Sequence, residues 1–396
     1  MIDVDLAIVG AGLAGTSAAL QLAGQAAKSG RRIVVFDAGT APATERTWCY
    51  WDVRGSEIDP RVGPLDLRDL VRHRWDRWGV TTRAGRQVLL DAREAPYVRL
   101  DGEDFHREAG ILLDASPAVT VRRGARVESI EEGEGEVLLR VAGEDWRSSH
   151  VIDARGPETR EARLFQHFVG WDVEFEHDVL DPRRATLMDF DVDQGGAIRF
   201  LYVLPESTRR GLVETTVLSP EPWSVERHEA GLRAYMDQRF GAAEFEVLRT
   251  EHGVLPMDGN VGEELLSSGG RVLRGGAAGG ALRPSSGYAF LATQRWAASL
   301  PAAWPGVGSR SWGDVPAPRS KALRWLDQVF LAQLRSSPES APELFERLFS
   351  RVDAPVLARF LTDVPSRRDL VRIMRALPPA PLAWRAVREI WGESAA

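Results

Sequence analysis

Residues 6–20 read LAIVGAGLAGTSAAL, an apolar run that meets three glycines and continues in small residues at helical spacing. The stretch VDLAIVG (4–10) predicts a buried strand, the glycines a tight turn, and GTSAALQLAGQAAKSG (15–30) a helix stopped by Gly30. RRIVVFDAG (31–39) follows as the next parallel strand, ending at Asp37. Gly10, Gly12 and Gly15 therefore open a βαβ unit at G-x-G-x-x-G spacing, with an acid about twenty residues beyond the last glycine. One glycine permits the turn, one lets backbone approach a pyrophosphate, and one lets helix and strand pack closely. Leu13 and Ala14 lie in the glycine turn that leads into the helix, whose N-terminus faces the phosphates, and Asp37 is placed to accept ribose hydroxyls.

The rest of the chain says which dinucleotide. From residue 119 the pattern alternates and breaks at glycines through VIDARG (151–156), as a small antiparallel meander would, with EEGEGE (131–136) as a solvated hairpin loop. Such an insertion is common in FAD enzymes and absent from simple NAD dehydrogenases, so FAD is the expected cofactor. Near residue 271, RVLRGGAAGGALRPSSGYAF predicts a strand, a glycine-rich loop and a helix opening near Ser286. That loop offers a second set of backbone donors to an anion or a flavin edge. Between these parts, RFLYVLP (199–205) and GLVETTVLS (211–219) read as strands, and VERHEAGLRAYMDQRFG (225–241) as one helix, of a sheet-based substrate domain. Beyond Pro301 amphipathic helices run to the end.

With 396 residues the chain exceeds the size at which one core stops growing. The expected division is an FAD-binding domain from 1–75, 105–165 and 265–300, a substrate domain from 76–104 and 166–264, and a helical region 301–396. The formal charge of -7, without a basic block, argues against a nucleic-acid partner. A single cysteine, Cys49, excludes an internal disulfide and a cysteine-built metal site, which fits a reducing cytoplasm. No metal site is expected: Asp189, Asp191 and Asp193 alternate on one face and read as solvated. PLAWRAVREIWGES (381–394) mixes Trp and Arg at helical spacing, which suits a helix packed on the body or one lying peripherally on the inner face of a membrane. Oligomeric state is not readable.

Outside the glycine motif, RTWCYWD (46–52), VIDARG (151–156), the run from FVGWDVEFE (168–176) to FLYVLP (200–205), GLVETT (211–216), GGAAGGALRPSSGYAF (275–290) and the helical tail from Leu344 together resemble the lycopene cyclase family of flavoproteins. The resemblance implies an α/β (α+β) chain with a glutathione-reductase-like FAD-binding Rossmann fold, an inserted antiparallel-sheet substrate domain and a C-terminal helical region. It implies closure of end rings on a linear C40 polyene without net redox change, FAD acting in reduced form and NADPH or NADH serving only to reduce it. It also implies cofactor contacts at Arg155, Gly156, Gly275, Gly276, Ala277, Gly279, Ser286 and Gly287, and substrate contacts at Trp48, Trp51, Thr215, Pro284 and Tyr288.

Acid-initiated cyclisation needs a carboxylic acid kept protonated in an apolar site, electron-rich surfaces near the cation, and exclusion of water. Glu214 stands on an apolar strand, where desolvation raises a carboxyl pKa and keeps it neutral; taken alone, a strand-end salt bridge is its plainer reading, and the resemblance implies that it is the catalytic acid. The chain departs from the family at three points. The acidic segment has two adjacent acids before threonine in the family, and here Thr215 follows Glu214; the stretch HTWSFH is replaced by residues 46–51; and Gly276 stands where many flavoproteins have Asp. Two other enzyme readings share the glycine motif: an aromatic-hydroxylase-type FAD monooxygenase, and a related cyclase for another isoprenoid. A non-catalytic lipid carrier with structural FAD is the non-enzymatic alternative.

Overall fold

The structure is a computed structural model that describes residues 2–42, 45–53, 61–156, 162–241, 243–257, 265–306, 308–309 and 311–378. The expected tail helix at 381–394 lies outside these residues.

The chain starts with β1 (Ile2–Val9), α1 (Leu13–Ser29) and β2 (Ile33–Phe36), then β3 (Thr47–Trp51), the short pair β4 (Arg61–Val62) and β5 (Leu65–Asp66), β6 (Val71–Trp75), β7 (Arg77–Thr81), β8 (Gln87–Asp91) and β9 (Tyr97–Asp101). It continues through α2 (Gly102–Asp114), β10 (Val119–Arg122), β11 (Val127–Glu132), β12 (Val137–Val141), β13 (Glu144–Asp153), β14 (Phe165–Phe175), β15 (Ala185–Asp189), β16 (Ile198–Pro205) and β17 (Arg210–Ser219). Then come α3 (Val225–Phe240), β18 (Phe245–Pro256), β19 (Val272–Arg274), α4 (Phe290–Ala303), α5 (Lys321–Ser336), α6 (Ala341–Arg351), α7 (Ala354–Leu361) and α8 (Arg367–Ala376).

The first sheet runs β10-β2-β1-β13-β12-β11, with β19 beside β13. Its parallel half is the expected βαβ unit: Leu6 to Val9 pair in register with Ile33 to Phe36. One face of β1 and β2 (Leu6, Ile8, Ile33, Val35) packs under α1 and α4. The other face (Val4, Ala7, Val9, Val34, Phe36) packs against Val127, Leu139 and Trp146 of the meander. The meander is smaller than expected. β10 is its predicted first strand, but it pairs parallel with β2 and extends the Rossmann sheet, because α2 returns it to that edge; only β11 to β13 are antiparallel.

The second sheet has the order β18-β14-β17-β16-β15-β7-β8. α3 covers one face, burying Leu232, Tyr235 and Met236 against Val169, Trp171 and Val213. The C-terminal helices cover the other, where Leu331, Leu334 and Leu344 meet Phe200, Leu218 and Phe190. β9, expected in the substrate domain, pairs instead with β3 and β6 in a small separate sheet, so segment 76–104 contributes only β7 and β8 to the large one. The expected solvated row of aspartates is also corrected. β15 ends at Asp189, whose buried carboxylate accepts from the Tyr235 hydroxyl at 2.8 Å, while Asp191 and Asp193 lie past the strand. No helix among the described residues is long and apolar enough to cross a membrane.

Candidate active site

Two glycine-rich loops meet where β1 ends. Gly10 has φ +100°, and a Cβ there would press on the Ala154 carbonyl at 3.1 Å, so this turn needs glycine. A Cβ on Gly15 would sit 1.9 Å from the Gly10 oxygen, which is how the helix comes so close to the strand. Gly12 differs from both: a Cβ there would meet nothing within 4 Å. The space above Gly12 is open, and no side chain caps the first turn of α1, so its N–H groups are free for an anion. Asp37 stands just past β2, where Arg123 donates to it at 3.1 Å. Arg155 follows β13 and is held by Asp153 at 2.6 Å; Gly156 beside it is exposed. The second loop packs on the first, since a Cβ on Gly276 would touch that of Ala14 at 2.6 Å. A Cβ on Gly275 would strike the Trp296 ring and one on Gly279 the Arg274 carbonyl, with Ala277 half-buried between them. These residues fit a dinucleotide: an open path for phosphates over Gly12, donors at a helix start, and an acid at the end of β2.

The helix predicted to open near Ser286 begins at Phe290 instead. Gly287 sits at φ +73°, which interrupts helical backbone, and the Gly287 N–H bonds back to Arg283 in a closed loop. That loop is bound from behind by Arg319, whose guanidinium donates to the carbonyls of Gly280, Ala281 and Leu282 at 2.6–3.0 Å. Arg283, fully buried, pairs with Asp327 of α5 at 3.0 Å, so the C-terminal helices fasten the loop in place.

Between the second sheet and those helices lies a cavity of about 310 Å³, lined by Trp51, Phe200, Tyr202, Leu218, Tyr288 and Phe330 among other apolar residues. Ligand pockets span ~300–1,000 Å³, so this cavity has the volume of a small-ligand site. Ser286 also reaches its wall; Pro284, expected there, does not. Strand alternation decides between the two tryptophans. Trp51 lines the cavity with its ring 4.8 Å from that of Tyr288, whereas Trp48 points from the opposite face of β3 toward Phe105 and Phe290 and is no part of the wall. Alternation corrects Thr215 in the same way. Its side chain is fully buried on the α3 side and accepts from Arg199 Nε at 3.2 Å, away from the cavity.

Glu214 lies on the cavity face of β17, opposite Tyr202 of β16 and four residues from Leu218, both of which line the wall. The acid missing at position 215 is supplied from elsewhere. Gly170 of β14 is in register with Glu214 on one side and with Glu251 of β18 on the other. A Cβ at Gly170 would meet Glu251 Cγ at 3.2 Å and Glu214 Cβ at 3.3 Å, so the glycine is the gap across which the two acids face each other. Thr216 donates to Glu214 Oε1 at 2.8 Å. The Thr47 N–H donates to Glu251 Oε2 at 2.8 Å, and Arg249 lies 3.9 Å from the same oxygen. Burial and then the charge of Glu251 raise the Glu214 carboxyl to about 8, while Glu251 is raised by burial but favoured as the anion by Arg249 and Thr47. Two like charges this close disfavour ionising both, and the Arg249 guanidinium and Thr47 N–H on the Glu251 side make Glu214 the more readily protonated of the two. Glu214 is surrounded by protein yet keeps part of its surface uncovered, as a side chain facing an internal space does.

Three tyrosines stand beside the pair: the Tyr288 hydroxyl is 3.3 Å from that of Tyr97 and 3.5 Å from that of Tyr202. Burial pushes the Cys49 thiol up, so it stays protonated and is no nucleophile. Sequence pattern alone does not single out Glu251, Tyr97 or Tyr202. The available signal for Glu251 was the glycine in FVGWD, which marks close approach within a strand of bulky residues.

A family profile described as "Lycopene cyclase protein" matches residues 5–386. The chain belongs to the lycopene cyclase family. It is 27% identical to a lycopene beta-cyclase of Pantoea ananas, the match covering 96% of each chain. It is also 27% identical to a lycopene beta-cyclase of Paracoccus sp. strain N81106, covering 96% of this chain and 95% of that one. The flavin-dependent monooxygenase PieE, solved in complex with FAD and substrate, shares the fold with a TM-score of 0.60 at 18% identity, covering 100% of this chain and 69% of that one. This member of the lycopene cyclase family therefore combines a Rossmann-type flavoprotein architecture with an apolar cavity and a buried acid pair.

Proposed function

We propose that this protein closes ionone-type end rings on a linear polyene, lycopene, in carotenoid biosynthesis, with FAD held at the glycine loops and Glu214 as the proton donor. The observation that carries the reading is the position of Glu214, a carboxyl raised by burial and by Glu251, on the sheet face whose Tyr202 and Leu218 line the apolar cavity. Family membership and the names of the Pantoea and Paracoccus relatives supply the substrate.

The glycine turn at 10–15 and the start of α1 would hold the pyrophosphate of FAD, Asp37 its ribose, and the 275–287 loop the flavin edge. Once reduced, with NADPH or NADH as the electron donor, the flavin would supply an electron-rich surface that favours a nearby cation without being consumed. Glu214 gives its proton to the terminal alkene of the substrate, and the neighbouring double bond attacks the resulting cation to form the ring bond. The Glu214 carboxylate, now beside a second carboxylate at Glu251, takes a proton from the ring carbon next to the cation. The acid pair ends as it began, and no electrons leave the substrate, as for an isomerase-type intramolecular lyase. Trp51, Tyr202 and Tyr288 exclude water and turn π faces to the cation; a desolvated cation–π contact contributes about 2 kcal/mol.

The test is anaerobic incubation of the FAD-loaded protein, reduced with NADPH, with lycopene, followed by chromatographic product identification. Cyclic carotene with no oxygen requirement is expected. Unchanged lycopene, or, in a parallel aerobic incubation, stoichiometric oxygen uptake with a hydroxylated product, would overturn the proposal.

A further inference from the structure

We infer that α8 docks on an anionic lipid surface, so that the mouth of the apolar cavity opens into the acyl region of the bilayer. In a chain with net charge -7, the outward side of α8 is positive: Arg367, Arg368, Arg372 and Arg375 are all exposed, with Arg372 paired to the exposed Asp353 at 3.4 Å. The helix's one acid, Asp369, is turned inward, where Arg359 donates to it at 2.8 and 2.9 Å. Asp369 also closes a capping box with Ser366, so the helix is preformed and loses little freedom on docking. Between the arginines stand Val371, 40% exposed, and Met374, 49% exposed. Met374 is at the same time part of the cavity wall, with Ile373, Leu377 and Pro378. A half-exposed residue that lines an apolar cavity marks its mouth.

An apolar strip flanked by arginines on a short helix is the pattern of an element lying in a membrane interface, with acyl chains taking the apolar residues and lipid headgroups the charges. The inference rests on the cyclase reading only for its purpose. A C40 polyene exceeds the cavity, and a mouth set in lipid lets the remainder of the chain stay out of water.

The test uses the purified full-length protein, cosedimented with vesicles of phosphatidylcholine alone or mixed with phosphatidylglycerol. Binding to the mixed vesicles, weakened by salt, is expected. Each of Arg368→Glu and Arg375→Glu is expected to lower the partition coefficient by at least roughly fivefold, the weight of one basic residue at an anionic surface. Val371→Gln is expected to weaken binding without changing its salt dependence. Secondary structure and flavin content of each variant show that the fold is intact. Equal binding to both vesicle types, wild-type binding by the double arginine variant, or light scattering showing that the arginine variants split a dimer would overturn the inference; the last would give the surface to a second copy. Vesicle binding requires no turnover, so its failure and the failure of cyclisation are separate results.

Discussion

Replacing Glu251 with glutamine tests how the acid pair works. The side chain keeps its size and loses its charge, and Glu214 answers through its pKa. Glu214 is raised from 4.5 to about 8, with burial the larger cause and the charge of Glu251 the second. Two charges about 4 Å apart interact by about 4 kcal/mol at an effective dielectric of 20, an upper limit of about 3 pH units. With burial untouched by the substitution, the expected fall is about 1 to 1.5 pH units. The sign follows from the active form: Glu214 must be protonated, so activity is full at low pH and is lost as pH rises through its pKa. The assay is single-turnover cyclisation of lycopene by the reduced holoenzyme across pH. The alkaline limb of the wild type should lie near pH 8, and that of Glu251→Gln about 1 to 1.5 units lower, making the variant roughly tenfold slower at pH 8 with near-equal rates in acid. Glu251→Asp, which restores the charge, should return the limb toward its original place. A uniform loss at all pH values with an unmoved limb would mean that Glu251 only supports the fold.

Other perturbations separate cofactor, proton donor and scaffold. Glu214→Gln should retain flavin and lose cyclisation by several orders of magnitude, as an amide has no proton to give; product formed at the normal rate would remove Glu214 from the mechanism. Gly12→Leu should fold, since its Cβ meets nothing within 4 Å, yet fail to retain flavin by absorbance because the side chain fills the phosphate path. Gly170→Ala places a methyl 3.2–3.3 Å from Glu251, Leu212 and Glu214, so it should cost about 1–3 kcal/mol in denaturant unfolding and push the acids apart. Arg319→Ala strips the donors from three carbonyls of the flavin loop and leaves Asp363, 3.0 Å from its Nε, short of a buried partner; a loss of about 3–5 kcal/mol is expected by thermal or chemical unfolding.

What the sequence reveals here divides along the range of the interactions involved. The βαβ unit was legible residue by residue, with Gly30 ending α1 and Asp37 just past β2, because turn, helix and strand are each set by neighbours a few positions away. The second sheet and its one helix were legible as alternation followed by an amphipathic run. β10 was misassigned because its alternation is compatible with either partner; the preceding α2 crossover, not the strand, makes it parallel to β2. Thr215 and Trp48 were misassigned for a different reason. Both adjoin a true site residue in sequence, and in a strand adjacent residues face opposite ways, so resemblance to a motif locates the strand but not the face.

The acid pair carries that point to its conclusion. Position 215 is where a second adjacent acid would be sought, but an acid there would point into the core beneath α3, beside the Arg199 guanidinium, and could not reach the space that Glu214 faces. A partner for Glu214 has to come from across the sheet, at the same level, with nothing bulky between. Glu251 meets that condition only because β14 presents Gly170 at the shared register position. Gly170, Glu214 and Glu251 thus make one functional group, and the local signal at Gly170 marks a close approach without naming the two acids that use it. It follows that restoring an acid at 215 by Thr215→Glu should not rescue Glu251→Gln: the new carboxyl would be buried on the wrong face, and the alkaline limb of the double variant should stay where Glu251→Gln alone puts it. A limb restored to near pH 8 would show that the second acid can act from position 215 after all, and the pairing across Gly170 would lose its claim to the site.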